Sequence, residues 1–451
     1  MDIRNKYPEF IFESYKVERN VNGIHASFVY KLGEHTFTPS ADIPISSIRN
    51  DWIKDDFLNE LFFNFGIIEA ISYYKLSMAP KFIIKCGELD AKQKEFFKKL
   101  FYNGLGELMY RNNILMKYED FMTIEAPEPA EKKQFYFDDN FSGNLITVGG
   151  GKDSIVTLEA LKGMRNENYC MQFNRDIYPE NRAALDEIHL AGYGLDRVCN
   201  FNLSIDKHML ELNDKGFYNG HVPFSGILAF ACTIIAYLNN IKYVIVSNEA
   251  SANEGNIAGT TINHQYSKSY EFEKDFEQYQ NEYLCSKIHY FSLLRCLNEF
   301  QIVQKFVKFP SYLKVFRSCN AGVRTNSWCS NCAKCLYVYI MLAPFFNTER
   351  LVEIFGRDLL DDESLGQIFY GLINPDATKP FECVGTREEI NYAIQLTINN
   401  YGKEPLPKLL DWYSKNYNYQ NDKDITGYFN NEHNIPEPYL KALLELWKSK
   451  Y

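Results

Sequence analysis

Positive charge is in short supply. The 451-residue chain carries 48 Lys and Arg against 58 Asp and Glu, a formal net charge of −10. A general nucleic-acid surface binds by neutralising phosphates with Lys and Arg, so this balance argues against one. Long hydrophobic runs are missing as well. The most apolar stretch, Ile227 to Leu238, is too short to span a bilayer and reads as a buried helix. The opening residues Met1-Asp2-Ile3-Arg4-Asn5-Lys6 contain no apolar signal core, so no secretory leader and no membrane partner are expected, and the cytoplasm is the expected location. Without such a leader, eleven cysteines point to thiols or metal ligands rather than to a disulfide framework. Internal repeats and low-complexity segments are absent too. What is present is 46% hydrophobic and 16% aromatic residue content, which makes a globular chain long enough for two or three domains and a large core.

Residues 1–125 mix strand-like stretches (His25 to Leu32) with helical ones (Leu58 to Ile71, Ala91 to Phe101), an N-terminal α+β region. Residues 126–135 are polar, carry two prolines and read as a linker. From about 140 to 310, strands and helices alternate. Strands are expected at Leu145–Val148, Tyr169–Phe173, Arg197–Asn202 and Tyr243–Val246, with helices from Ser154, around Asn181–Ala191 and near 225–239. Such alternation means βαβ units in a doubly wound parallel sheet, so the fold class is α/β. Residues 311–345 hold a cysteine knot, and 346–451 read as mostly helical, ending in an apolar-periodic helix at Tyr439–Trp447.

Residues 146–159 are the most informative stretch. A β-branched run enters Gly149-Gly150-Gly151, then Lys152-Asp153-Ser154, then apolar residues at helical spacing (Ile155, Leu158, Leu161). A strand, a glycine turn and a helix N-terminus make an anion site, because the first helical N–H groups are unpaired and the dipole favours negative charge. Glycine lets the backbone approach that anion closely. The segment is not a Walker A loop, which needs G-x-x-x-x-G-K-[ST]: Ile146 stands where the first glycine belongs and Asp153 where the Ser or Thr belongs. It is not the Rossmann fingerprint either, since Ser154 occupies the last glycine position. It resembles the PP-loop of the ATP pyrophosphatases, S-G-G-x-D-S, with Gly149 in place of the first Ser. That resemblance implies cleavage of ATP between its α and β phosphates. Ligands of doubly wound sheets bind beyond the carboxyl ends of the strands. Gly149–Ser154 and Ser247-Asn248-Glu249 both fall at such ends, facing one cleft.

Cys319, Cys329, Cys332 and Cys335 form C-x9-C-x2-C-x2-C. Two residues between thiols let one turn of backbone present both to a single ion. Four thiolates suit a closed, structural tetrahedral zinc; an iron–sulfur cluster and plain buried cysteines are the competing readings. The nitrile-forming deazaguanine synthases of the PP-loop superfamily carry a similar zinc knot. The other seven cysteines, Cys383 among them, read as core residues.

Further stretches resemble one family across nearly the whole chain, the UDP-N-acetylmuramoyl-L-alanyl-L-glutamate epimerases of bacterial cell-wall synthesis. They are Ile71–Lys75, Gly104–Glu107 with Tyr110-Arg111-Asn112, the loop Gly149–Ser154, Asn219-Gly220-His221-Val222-Pro223, Ser247–Ala252, the cysteine knot and Lys379–Gly385. The resemblance implies an ATP- and Mg²⁺-dependent isomerase of peptidoglycan precursor synthesis. It would invert the terminal L-glutamate of UDP-MurNAc-L-Ala-L-Glu through an acyl-adenylate, releasing AMP and diphosphate. The alternative is a PP-loop ligase or nitrile-forming enzyme acting on a small carboxylic acid. A nucleotide sensor without turnover is a third reading.

In the epimerase reading Gly149, Gly150, Gly151 and Ser154 hold the pyrophosphate. Lys152 lies near the phosphates, Asp153 near Mg²⁺ or the loop amides, and Asn248 beside the nucleotide. For the α-proton, His221 in its turn-rich setting is a natural shuttle. Glu249 serves as base or metal ligand, and His264 is a third candidate. Arg111, Arg317 and Arg324 offer forks for a diphosphate or carboxylate.

Overall fold

A computed structural model describes residues 3–50, 52–178, 181–255, 262–417, 419–420 and 424–448. Among the described residues, eleven strands form one sheet. In chain order they are β1 (Glu9–Asn20), β2 (Gly23–Leu32), β3 (His35–Phe37), β4 (Ser40–Pro44), β5 (Lys81–Ile84), β6 (Thr123–Glu125), β7 (Asn144–Thr147), β8 (Asn168–Arg175), β9 (Val198–Ser204), β10 (Tyr243–Val246) and β11 (His289–Ser292). Across the sheet the order is β11-β10-β7-β8-β9-β4-β2-β1-β5-β6, with β3 on β2.

The half from β11 to β9 is parallel throughout. Counting β7 as its first strand, the order across it is 3-2-1-4-5, with chain progression reversing direction between β7 and β10. That reversal is a topological switch point, the place where the loops leaving two neighbouring strands part and open a crevice. At β9 the sheet changes character. Strand β4 joins it antiparallel through Ala41↔Leu203 and its neighbours, so the N-terminal strands continue the same sheet instead of forming a second one. The expected parallel strands are all present, and the sheet as a whole is mixed.

Side-chain alternation explains why the parallel half is covered on both faces. On β7 Leu145 enters one core and Ile146 the other; on β10 Val244 and Val246 enter the first and Ile245 the second. The first core is shared with helices Asp55–Glu69, Ala91–Gly104, Phe224–Tyr237 and Tyr270–Tyr283. The apolar run near 227–238 is the Phe224–Tyr237 helix, buried almost all round. The second core is built with helices Lys152–Ala160, Arg182–Leu190, Glu299–Phe306, Ala333–Leu342 and the helices beyond residue 346. No helix among the described residues is long and apolar enough to cross a membrane.

Candidate active site

The turn after β7 is shaped by Gly150, at φ +90°, a left-handed value that favours glycine. A Cβ there would meet the Cβ of Ala183 at 3.0 Å and the amide of Ala184 at 3.2 Å. The backbone therefore runs tight against the Arg182–Leu190 helix, and Asn181 donates to the Gly149 carbonyl at 3.1 Å. A Cβ at Gly149 would meet nothing within 4 Å, so this glycine leaves open space beside the loop. The helix begins at Lys152, with Gly151 at its N-cap. Ser154, expected to contact phosphate, points inward. Its hydroxyl lies 2.8 Å from both the Gly151 carbonyl and the carboxyl of Glu187, whose pKa burial pushes well above the carboxylate range.

Lys152 is buried and ion-paired with Asp153 at 2.5 Å and with Glu299. Burial alone would weaken its ammonium, but Asp153 and Glu299 outweigh that and raise its pKa above the usual lysine range. Glu299 starts the helix Glu299–Phe306 under an Asn298–Gln301 capping box. Glu249 arrives from the end of β10, on the other side of the switch point. Carboxylate oxygens of Asp153, Glu249 and Glu299 lie within 4.8 Å of one another. Three carboxylates, two of them buried, crowd the Lys152 ammonium, a concentration of negative charge that a bound cation would offset. Burial, with the Asp153 and Glu249 charges, raises the Glu299 pKa against the pull of Lys152.

Arg295, fully buried, fixes this corner. It donates to the Glu249 carbonyl at 2.7 Å and to Ser292 at 3.2 Å, and pairs with Glu273 at 3.1 Å. Asn248 is turned away from the loop and donates to Ser292 at 3.1 Å.

A second polar group lies across the cleft. The His221 ring sits on the His264 ring, centroids 4.0 Å apart, and His264 pairs through Nδ1 with Glu107. Burial would lower the pKa of His264, but hydrogen bonds with Cys383 and Glu107 raise it to about 9, so it is an imidazolium. His221 is the opposite case: burial, then the neighbouring His264, Lys268 and Lys75 charges, hold it down to about 2. Ligand atoms of Glu107, His221 and His264 also lie within 4.8 Å of one another, but an imidazolium has no lone pair to give a metal.

Cys383, expected in the core, belongs to this group instead. It is half-buried, and Lys268 Nζ lies 3.3 Å from its sulfur. Long-range folding moves it there: Lys379 pairs with Glu254, Asn320 holds Glu382 at 2.6 Å, and Lys334 reaches the Cys383 carbonyl. The neighbouring Gly385 passes so close that a Cβ would sit 2.9 Å from the Tyr337 hydroxyl. Lys268 links the two groups, since its charge is stabilised by Cys383, Glu249 and Asp153 against the cost of burial.

Of the residues expected from sequence, Lys152, Asp153 and Glu249 converge, and His221 and His264 stack. Glu299, Lys268, Glu107, Arg295 and Cys383 were missed as functional groups. Glu107 and Cys383 lie in stretches that carried the family resemblance, which was their one visible signal. Of the three arginines, Arg111 pairs with Glu107 at 2.7 Å, Arg324 is exposed, and Arg317 donates its backbone amide to the Gly150 carbonyl at 2.6 Å.

The cysteine knot lies beside the cleft. Sulfur separations are 3.9 Å for Cys319–Cys332, 3.7 Å for Cys329–Cys335 and 3.5 Å for Cys332–Cys335. A tetrahedron with metal–sulfur bonds of about 2.3 Å has edges of about 3.8 Å, so the four thiols fit one ion.

The family models for the MurL N-terminal domain and the MurL C-terminal domain match residues 1–293 and 315–417. Three curated relatives, each named UDP-N-acetyl-alpha-D-muramoyl-L-alanyl-L-glutamate epimerase, are 32% identical to the chain. The protein of a Micromonospora species aligns over 97% of this chain and 98% of its own length. That of Xanthomonas oryzae pv. oryzae aligns over 73% and 72%, and that of Salinispora tropica over 88% and 86%. No solved structure matches the chain.

Proposed function

The chain belongs to the MurL family of epimerases, and we propose that it inverts the terminal L-glutamate of UDP-MurNAc-L-Ala-L-Glu at the expense of ATP. A carbon beside a carboxylate gives up its proton reluctantly, because the resulting enolate would carry two negative charges. Joining that carboxylate to AMP removes one charge and makes the α-proton acidic; water later releases AMP and restores the acid. ATP cleavage also drives a reaction that is otherwise nearly balanced.

The observation that carries this reading is the meeting of two unlike polar groups at one switch point. On one side are a glycine turn, a helix N-terminus, Lys152 and the carboxylates of Asp153, Glu249 and Glu299. This is a donor set that suits Mg²⁺, a hard cation with oxygen ligands, and Lys152 with Gly149–Gly151 suits the phosphates. Bound there, Mg²⁺ would neutralise phosphate charge. On the other side are His221, His264 and Cys383. Lys75 lies 3.3 Å from the Gly220 carbonyl next to His221, and Arg175 has two buried guanidinium nitrogens with no hydrogen-bond partner among the described residues. These cations suit the second carboxylate of a glutamate. His221 stays neutral and orients rather than ionises. Asn248 and Ser154 hold the loops that carry Glu249 and Lys152. Cys319, Cys329, Cys332 and Cys335 suit a structural Zn²⁺ that ties the 317–335 segment down.

The test is incubation of the purified protein with UDP-MurNAc-L-Ala-L-Glu, ATP and Mg²⁺ in heavy water. The expected products are AMP, diphosphate and D-glutamate carrying deuterium at Cα. ADP and phosphate, retained L-configuration after ATP is consumed, or nitrogen incorporated from an amide donor would each refute the reading.

A further inference from the structure

Every epimerisation needs a base that meets the α-proton, and neither group favoured by sequence is suited to it. His221 is too weak a base where it sits, with its ring held neutral among Lys268, Lys75 and the His264 imidazolium. Glu249 contributes its carboxylate to the trio around Lys152 and accepts from Ser251 at 3.1 Å.

Cys383 has the opposite surroundings. Its sulfur faces the Lys268 ammonium at 3.3 Å and accepts a hydrogen bond from His264, which is itself kept charged by Glu107. Lys334, on helix Ala333–Leu342, adds a third positive charge through its contact with the Cys383 carbonyl. The acidic side chains facing these cations already have partners: Glu107 pairs with His264 and Arg111, Glu382 accepts from Asn320 at 2.6 Å, and Glu249, Asp153 and Glu299, whose charges reach Lys268 or Lys334, form the trio around Lys152. A structural thiol in an apolar core has no use for three cations. The segment that carries it is pinned on both sides, by Lys379–Glu254 and by the capping box of Thr386 and Glu389 at the head of helix Arg387–Tyr401. The thiol is therefore aimed and not merely exposed.

We infer that Cys383 is the base that removes the α-proton, a role that rests on the epimerase reading above. The thiolate sulfur forms an S–H bond as the Cα–H bond of the activated glutamate breaks, and the electron pair passes into the acyl carbonyl. A proton from solvent returns to the opposite face, and the thiol then gives its proton back to solvent, so no oxidant or reductant is consumed. Lys268 and the Glu107–His264 pair are positioning residues that keep the sulfur ionised. Burial alone would raise the thiol, but Lys268, the hydrogen bond from His264 and then Lys334 bring it down to about 6. A thiol at that value is ionised at neutral pH and still basic enough to take a proton.

Two measurements test this. In heavy water with UDP-MurNAc-L-Ala-L-Glu, ATP and Mg²⁺, Cys383→Ser should still form AMP and diphosphate while α-deuteration falls by at least about 10²-fold, the scale of one general base. If the wild type forms neither AMP nor D-glutamate, the epimerase reading fails. If the wild type works and Cys383→Ser still deuterates Cα at near its rate, only the base assignment fails. An acyl group found on Cys383 by mass spectrometry would overturn it too, in favour of a nucleophile. Second, alkylation of wild-type Cys383 by iodoacetamide, followed by peptide mass analysis, should titrate with a midpoint near 6. Lys268→Met should move that midpoint upward. A wild-type midpoint in the ordinary thiol range, about 8.5, would overturn the proposal.

Discussion

Lys334 separates two kinds of cysteine. Beside it in sequence, Cys332 and Cys335 face Cys319 and Cys329, with sulfur separations of 3.5–3.9 Å. At the tip of its side chain lies Cys383, whose sulfur faces Lys268 and His264. In both places thiolates need positive charge nearby. The four thiols of the knot lie close enough together to suit one metal ion, which would lock them in place and add directly to folding free energy. Around Cys383 the protein supplies the charge from side chains, which stabilise the thiolate without coordinating it and leave its lone pair free for a proton. One residue type serves architecture in the first case and chemistry in the second, and the source of the neighbouring charge decides which.

The most severe way to break this comparison is to remove one thiol from each place. Cys332→Ser should lose the metal and with it most soluble protein, since structural zinc contributes on the order of 10 kcal/mol to folding. Cys383→Ser should melt within a few degrees of the wild type. Elemental analysis and a thermal melt of both variants decide it, and equal collapse of the two would end the distinction.

Next in size is the contrast between the two sides of the cleft. Asp153→Ala should abolish AMP formation, with a loss of about 10³-fold or more, because a carboxylate of the cation site is gone. The fold should stand, as Lys152 keeps Glu299. A variant that still released diphosphate at near the wild-type rate would remove Asp153 from the phosphate side.

Smaller is the effect of the support behind the thiolate. His264 is raised to about 9 by its bonds to Cys383 and Glu107, so its positive charge is present below that pH and lost as pH rises through it. Glu107→Gln should therefore move the alkaline limb of the epimerisation profile to lower pH and slow the reaction about 10- to 100-fold. An unmoved limb would show that Glu107 only holds the fold.

Smallest is a comparison at Glu69, a buried carboxyl near Arg175 and Lys75. Here burial outweighs both cations and the pKa rises to about 7, the reverse of the outcome at Cys383. A carboxyl raised in the folded state contributes stability at low pH that is lost as pH rises through its folded pKa. The wild type should thus lose on the order of 1–3 kcal/mol relative to Glu69→Gln between about pH 5 and pH 8, measured by denaturant unfolding. A constant difference across that range would mean Glu69 is ionised throughout.

The strands around β7, the helix from Lys152 and the apolar helix Phe224–Tyr237 were legible because each is written in contiguous residues. So were the glycine turn and the C-x2-C spacing. Sequence could not disclose that β4 pairs with β9 and extends the parallel strands into one mixed sheet, because strand pairing joins segments about 160 residues apart. Nor could it disclose Glu299, whose capping position looks like that of any helix start.

By itself, then, the sequence determined the local grammar: a β-branched run, three glycines and a lysine make a strand, a tight turn and a helix start, and four spaced cysteines make a metal-sized cage. Tertiary structure decided which charges meet. Glu107, Lys334 and Cys383 come from three separate segments, and His264 and Lys268 from a fourth. Proton affinity is set by charges a few ångströms away in space. The same cysteine side chain is therefore a core residue on paper and a candidate thiolate base in the fold.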